Sequence, residues 1–280
     1  MQNDFMIKCG DGKLIAATHY GFEGSPMVII SPALGTHRKY YDAFANYLFN
    51  EGFQVLTFDY RGIGESRTSL KDPQSTLTNW GKQDLTAAIS WANTHDPRQP
   101  IMLVGHSVAG QIFPLAENKH QVKAAYFVAS QTASNLYWSM PERWKVKLFW
   151  NLILPTTTAL TGKLPSWAYG GKQDLPKYAA VEWAEWGTHQ NGVIQDDQDR
   201  MKAFKEISIP LRFISLDDDN MLAPRKAVER LMDQYGSPSK EHFHWYPDEF
   251  MKKSIGHFGF FRSQNEDLWN DALIWLNRYA

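Results

Sequence analysis

Three short stretches carry residues whose types and order could do nucleophilic chemistry. The first is Gly105-His106-Ser107-Val108-Ala109-Gly110, which directly follows the apolar run Ile101–Gly105. A serine hydroxyl is a weak nucleophile and must project clear of its backbone to meet a base. A sharp turn between a strand and a helix does this, and it demands small residues two before and two after the serine. Gly105 and Ala109 fit, with alanine where glycine is usual and Gly110 next. The second stretch is Ser254-Ile255-Gly256-His257-Phe258-Gly259, between the last strand pattern and the last helix pattern. A histidine there can reach back over the sheet edge as general base. The other eight histidines lack such a place: His242 and His244 alternate along one strand, and His106 lies inside the turn.

The third stretch is Asp217-Asp218-Asp219-Asn220, after the run Leu211–Leu216 and before Pro224. An acid is expected after a strand lying between serine and histidine, in the order Ser, Asp, His. Asp219 matches that placement best, and Asp218 is the alternative. The remaining carboxylates are expected to be solvated or to favour the start of the following helix. The acid would hold the imidazole in one tautomer and stabilise its charged form. A tetrahedral intermediate also needs amide donors. Val108 N–H is one candidate. The other should come from Ser31-Pro32-Ala33-Leu34-Gly35, where Pro32 cannot donate. Ala33 is the first choice and Leu34 the next.

These residues need an element order that brings strand ends together. Met27–Ser31, Gln54–Asp59, Ile101–Gly105 and Ala124–Ala129 read as buried strands. Helical patterns separate them at Tyr40–Asn50, Thr78–Asn93 (capped by Thr78 or Asn79) and Val108–Glu117. This alternation predicts a parallel sheet with helices on both faces. Asp4–Cys9 and Leu14–Tyr20 around Gly10-Asp11-Gly12 read as an antiparallel hairpin at its start. The pattern resumes with the strand Leu211–Leu216, the helix Arg225–Tyr235, the strand Glu241–Tyr246 and a closing helix over Asn265–Tyr279.

Between these halves the alternation stops. Residues 130–206 hold six of the 11 tryptophans (Trp138, Trp144, Trp150, Trp167, Trp183, Trp186), with prolines and Gly170-Gly171 as breakers. A structureless loop that long is improbable in a compact domain. The expected organisation is a core of 1–130 and 207–280 with a helical cap, 131–206, inserted over the sheet edge. Its aromatic content fits an apolar acyl or aryl substrate, and equally a cap core.

The chain has 280 residues, 43% hydrophobic and 21% charged, with a formal net charge of -1. That balance argues against a nucleic-acid footprint. No apolar stretch is long enough to span a bilayer. The start, MQNDFMIKCGDGKL, lacks the basic and apolar regions of a signal peptide, so a cytoplasmic protein is expected. The one cysteine, Cys9, reads as a small strand residue. No metal-ligand motif such as His-Glu-x-x-His occurs, and no cofactor is expected.

The elbow Gly105–Gly110, the segment Asp59-Tyr60-Arg61-Gly62-Ile63-Gly64-Glu65-Ser66, the Asp219 loop and Gly256-His257 together resemble the α/β-hydrolase superfamily. Within it the chain is most similar to predicted bacterial hydrolases of the serine-aminopeptidase and monoacylglycerol-lipase-like branch, one subgroup of which has an ending like His257–Arg262 and a Trp-x-x-Trp like Trp183–Trp186. The resemblance covers nearly the whole chain, the cap less closely. It implies an eight-stranded sheet and hydrolysis of an ester, thioester or amide without a cofactor. It does not choose a substrate. Asp59–Ser66 is expected to shape the sheet edge. The leading expectation is a carboxylic-ester hydrolase working through Ser107, Asp219 and His257. Thioester hydrolysis, peptidase action or acyl transfer at the same residues is the alternative, and a non-catalytic binding protein of this fold is a third.

Overall fold

The apolar runs become strands because their side chains have a hydrophobic layer on both faces. Val28, Ile29 and Ile30 of β3 (Met27–Ser31) are fully buried, as are Val55, Leu56 and Phe58 of β4 (Gln54–Phe58). Each such side chain contributes roughly 1.5–3 kcal/mol by leaving water. The computed structural model describes residues 2–280. Eight strands form one sheet: in spatial order β1 (Gln2–Lys8), β2 (Leu14–Tyr20), β4, β3, β5 (Ile101–His106), β6 (Val122–Val128), β9 (Leu211–Leu216) and β10 (Lys240–Trp245). The pair β1 and β2 is antiparallel, and β2 is antiparallel to β4. The strands from β4 through β3, β5, β6, β9 and β10 are parallel. The predicted hairpin start and the parallel body both appear, with ends shifted by one or two residues.

The helices depart further from the sequence pattern. The pattern over Val108–Glu117 yields only the short helix Ala109–Ile112 and a 3-10 turn at Phe113–Leu115, where Pro114 cannot continue the ladder. The helix over 77–95 contains a π segment at Trp80–Leu85, and its cap is Thr76, whose side chain accepts from Asn79 N–H. Neither Thr78 nor Asn79 caps it: Thr78 is bonded instead to Glu182 of the inserted segment. Asp59 has the structural role expected of it. Its carboxylate accepts from the main-chain N–H groups of Arg38 and Glu65 and from the Arg38 guanidinium, tying β4 to the loop after β3. Cys9 is buried, and burial beside Asp84 pushes its thiol pKa up to about 12.

Strands β6 and β9 are hydrogen-bonded neighbours, yet residues 129–210 lie between them in the chain. That segment is mostly helical. It contains a run over 142–161 with a π segment at Phe149–Ile153, a two-residue antiparallel pair of β7 (Lys163–Leu164) and β8 (Leu175–Pro176), and the helix Lys177–Thr188. Trp138, Trp150, Trp183 and Trp186 are buried within it, and Trp144 and Trp167 face solvent. Gly35, in the loop after β3, has φ of 61°, and a side chain there would meet the Tyr169 hydroxyl of this segment.

Candidate active site

Ser107 has φ of 55°, in the left-handed region that non-glycine residues seldom occupy. The turn that imposes it leaves no room beside it. A Cβ on Gly105 would lie 2.6 Å from Phe127 and 3.0 Å from the Ala109 methyl. The glycine is therefore required, and the alanine is accommodated because its methyl fills the space the glycine leaves. The Ser107 N–H is held by the Val128 carbonyl at 2.9 Å, which fixes the elbow to β6. The Ser107 Oγ has no partner among the described residues and lines a narrow throat together with His257, Leu34, Val108, Gln111 and Gln131.

His257 is the second residue of the short helix Gly256–Gly259. Its Nδ1 lies 2.6 Å from Asp219 Oδ2, and both side chains are almost fully buried. The carboxylate fixes the proton on Nδ1 and leaves Nε2, on the far edge of the ring, able to take one. Asp219 is aimed by its own turn: its N–H donates to Leu216 and its Oδ1 accepts from Leu222 N–H.

Asp218 is exposed, yet its carboxylate is engaged. Its carboxylate accepts from the Ser254 hydroxyl at 2.7 Å and from the N–H groups of Ile255 and Gly256 at 2.8 and 2.9 Å. Burial opposes its ionisation, but the Ser254 hydroxyl and those amides prevail and hold its pKa below the usual carboxylate range. It thus clamps the loop that presents His257. Asp217 faces His244 Nε2 at 3.3 Å. The carboxylates beside Asp219 are exposed, as expected, and neither caps the helix Arg225–Gln234, which Pro224 precedes without a side-chain cap. Consecutive residues of a turn point in different directions, and each finds its own partner.

The two amide candidates differ in the same way. The Ala33 N–H donates to Tyr41 Oη at 2.8 Å and is turned into the core. The N–H groups of Leu34 and Val108 have no acceptor among the described residues, and both residues line the throat. Leu34, the second choice from the sequence, is therefore the available donor, and Ala33 is not. Unpaired buried amides are rare, and two of them around one serine can donate to a negative or partly negative oxygen.

A buried relay missed at the level of sequence connects these parts. Tyr41 Oη is 2.9 Å from His106 Nδ1, and His106 Nε2 is 2.9 Å from the His257 carbonyl. A carbonyl only accepts, so Nε2 carries the His106 proton. Nδ1 then accepts from Tyr41, whose oxygen accepts from Ala33. Burial, then the nearby His257, keep the His106 pKa well below its ordinary value, and burial keeps the Tyr41 hydroxyl neutral. The sequence signal was the placement of His106 next to the serine.

Beyond the throat lies a second space of about 190 Å³, lined mainly by Trp138, Val146, Phe149, Trp150, Trp183 and Leu222. It shares Gln131, Tyr169, Trp183 and Leu222 with the throat, whose own free volume is about 30 Å³. Among the described residues no group of three or more His, Cys, Asp or Glu is placed to hold a metal, and no helix is long and apolar enough to cross a membrane.

Comparison with known proteins agrees with this architecture. The protein shares 33% identity over 107 residues with the quorum-quenching protein AidA of Acinetobacter baumannii, which is 36% of this chain and 34% of that one. The chain is thus matched over only about a third of the length of that relative. Among solved structures, a soluble variant of monoglyceride lipase from Saccharomyces cerevisiae, in complex with a substrate analogue, superposes with a TM-score of 0.69 at 15% identity, covering 100% of this chain and 95% of the lipase. Est1E from Butyrivibrio proteoclasticus, with ferulic acid bound, superposes with a TM-score of 0.64 at 18% identity, covering 98% and 99%. At such identities these likenesses establish the fold. The family described as serine aminopeptidase, S33, matches residues 24–250. The chain belongs to that S33 family, within the α/β-hydrolase superfamily.

Proposed function

We propose that the protein cleaves a carboxylic ester with an apolar acyl or aryl group through an acyl-enzyme on Ser107. The observation that carries this reading is the meeting, around one cavity, of a strained serine, a histidine backed by Asp219 at 2.6 Å, and two unpartnered amides. In this reading Ser107 Oγ attacks the ester carbonyl carbon and its proton passes to His257 Nε2. The carbonyl oxygen becomes an oxyanion and takes the N–H groups of Val108 and Leu34. Collapse breaks the ester bond, and the departing alcohol oxygen receives the proton from His257. Water then attacks the acyl-enzyme, gives its proton to His257 and releases the acid. Serine regains its proton in that last collapse. Residues 131–206 act as a cap whose aromatic chamber takes the apolar group, over a core of 1–130 and 207–280.

The test is the rate of hydrolysis of p-nitrophenyl esters of increasing chain length. Turnover is expected, with a preferred chain length that fills the chamber, and it should disappear in Ser107→Ala. A Ser107→Ala protein as fast as the parent refutes the assignment of the nucleophile.

A further inference from the structure

The helical run over 142–161 is apolar on two faces, and only one of them is covered. Val146, Trp150 and Leu154 are buried, and the first two wall the aromatic chamber. On the other side Trp144, Leu148 and Leu152 recur every fourth residue, so they form one stripe along the helix. Each is more than half exposed, Trp144 at 61%. The π segment at Phe149–Ile153 adds Ile153 to the exposed set. A helix that is apolar all round is ordinarily buried. Apolar patches left in water mark surfaces that meet something else.

The charge of this surface is one-sided. Residues 143–173 hold five cations, Arg143, Lys145, Lys147, Lys163 and Lys172, and no aspartate or glutamate, in a chain whose formal net charge is -1. Among the described residues only Lys163 of these five has a carboxylate partner, Asp174. Arg143 and Lys147 stand one helical turn apart, a like-charged spacing that weakens a helix. Both line a surface cleft of about 410 Å³ together with Leu136, Met140 and Trp144. Lys147 Nζ lies 5.5 Å from the centre of the Trp144 ring. Unpaired cations and bare apolar side chains thus share one surface. Water satisfies the cations and not the stripe, and an apolar partner satisfies only the stripe.

We propose that this face of the inserted segment is a docking surface for an anionic lipid bilayer. Trp144, Leu148 and Leu152 sink into the boundary between headgroups and acyl chains, and Arg143, Lys145 and Lys147 meet the lipid phosphates. An apolar stripe flanked by cations is what an interfacial helix presents, and each basic residue near an anionic surface adds to the attraction. The helix lies on the bilayer and does not cross it. One of its faces then rests in lipid while the other walls the chamber. A second copy of the chain fits this surface worse. A two-fold contact sets one patch against itself, which brings these cations toward their own copies with no carboxylate among them. Docking of this kind is independent of the reaction at Ser107.

The experiment is sedimentation of the full chain with large unilamellar vesicles, of phosphatidylcholine alone or of phosphatidylcholine mixed equally with phosphatidylglycerol. Partitioning should be at least about tenfold stronger on the anionic vesicles, and it should weaken as salt is raised. Two double variants divide the surface. Leu148→Ser with Leu152→Ser removes the stripe, and Arg143→Gln with Lys147→Gln removes charge. Each pair should lower partitioning onto the anionic vesicles by about tenfold or more, with thermal melting checking that each variant folds. The lipid and salt dependence of the parent needs no variant. No sedimentation with either vesicle overturns the docking surface, as does equal partitioning onto both. Partitioning that survives both double variants places the contact elsewhere and overturns it too. Dimerisation without vesicle binding, lost in Leu148→Ser with Leu152→Ser, assigns the face to a second copy instead.

Discussion

Two serines of this chain stand beside a histidine that is backed by a carboxylate. At one, His257 Nδ1 meets Asp219 at 2.6 Å, and Ser107 shares a cavity with the ring. At the other, Ser215 Oγ is 2.8 Å from His244 Nδ1, and His244 Nε2 is 3.3 Å from Asp217. Ser215 even has a second imidazole, His242 Nε2, at 2.8 Å, with Glu229 3.7 Å from that ring. By contact alone the second constellation is the more complete. It differs in everything else. Ser215 is fully buried within the regular strand β9, with no left-handed turn to lift its hydroxyl away from the sheet. Its one proton goes to His244, whose other nitrogen serves Asp217, and its oxygen accepts from His242, so its proton is committed and its oxygen already occupied. Ser107, by contrast, has an unspent hydroxyl beside two unspent amides. The comparison teaches that a candidate reactive site is marked by groups left without partners in front of a cavity. A chain of paired groups is a structural device.

The largest test of this contrast is the serine itself. Ser107→Ala should lower kcat on a p-nitrophenyl ester by about 10⁴-fold or more, whereas Ser215→Ala should stay within about twofold and show its effect as a lower melting temperature, since two imidazoles lose a shared partner. Equal losses of rate would erase the distinction. Next in size are the carboxylates. Asp219→Asn should cost on the order of 10³–10⁴ in kcat with little change in KM, because the amide stabilises the wrong imidazole tautomer. Asp217→Asn should leave steady-state rates near those of the parent. Asp218→Ala is intermediate. It releases the Ile255 and Gly256 amides and the Ser254 hydroxyl, and should lower kcat by roughly tenfold by loosening the loop under His257. It should also lower stability by about 1 kcal/mol in a denaturant titration, since water can replace the exposed contacts.

The smallest effect is a dependence on pH. Burial lowers the His242 pKa, and Glu229 only partly offsets this. In the unfolded chain this histidine titrates near the ordinary value of about 6.5, so below that pH the unfolded state binds the extra proton and folding stability falls. His19 and His106 are lowered too, both mainly by burial, and act with the same sign. The denaturant midpoint should therefore decline as the pH is taken from 7 to 5, and His242→Gln should flatten part of that slope. An unchanged slope would remove His242 from the account.

Much of the site is legible in the chain because its residues follow strand ends. Ser107, Asp219 and His257 each come just after an apolar run or just before a helix pattern, and position in a parallel sheet can be deduced from order alone. What is not legible depends on partners distant in sequence. Ala33 and Leu34 are neighbours in one loop, and only the Tyr41 hydroxyl, delivered by the next helical segment, decides which amide is free. Asp218 is indistinguishable from Asp217 until the amides of Ile255 and Gly256 are placed against it. Gln111 and Gln131 carry no motif at all. The inserted segment showed its tryptophans but not their fates, since burial there depends on helix packing and not on a repeating pattern.

The position of that segment has a consequence for how such a protein can diversify. It leaves the sheet at the end of β6 and returns at the start of β9, two strands that lie side by side. Neighbouring strands are only about 5 Å apart, so residues 129–210 begin and end on adjacent strands of an unbroken scaffold. Exchanging them for another segment, even a single crossover helix, preserves strand order, register and the elbow of Ser107. Under the proposed function, grafting is then a route to new selectivity in which the chemical machinery and the chamber that selects what enters it are inherited separately.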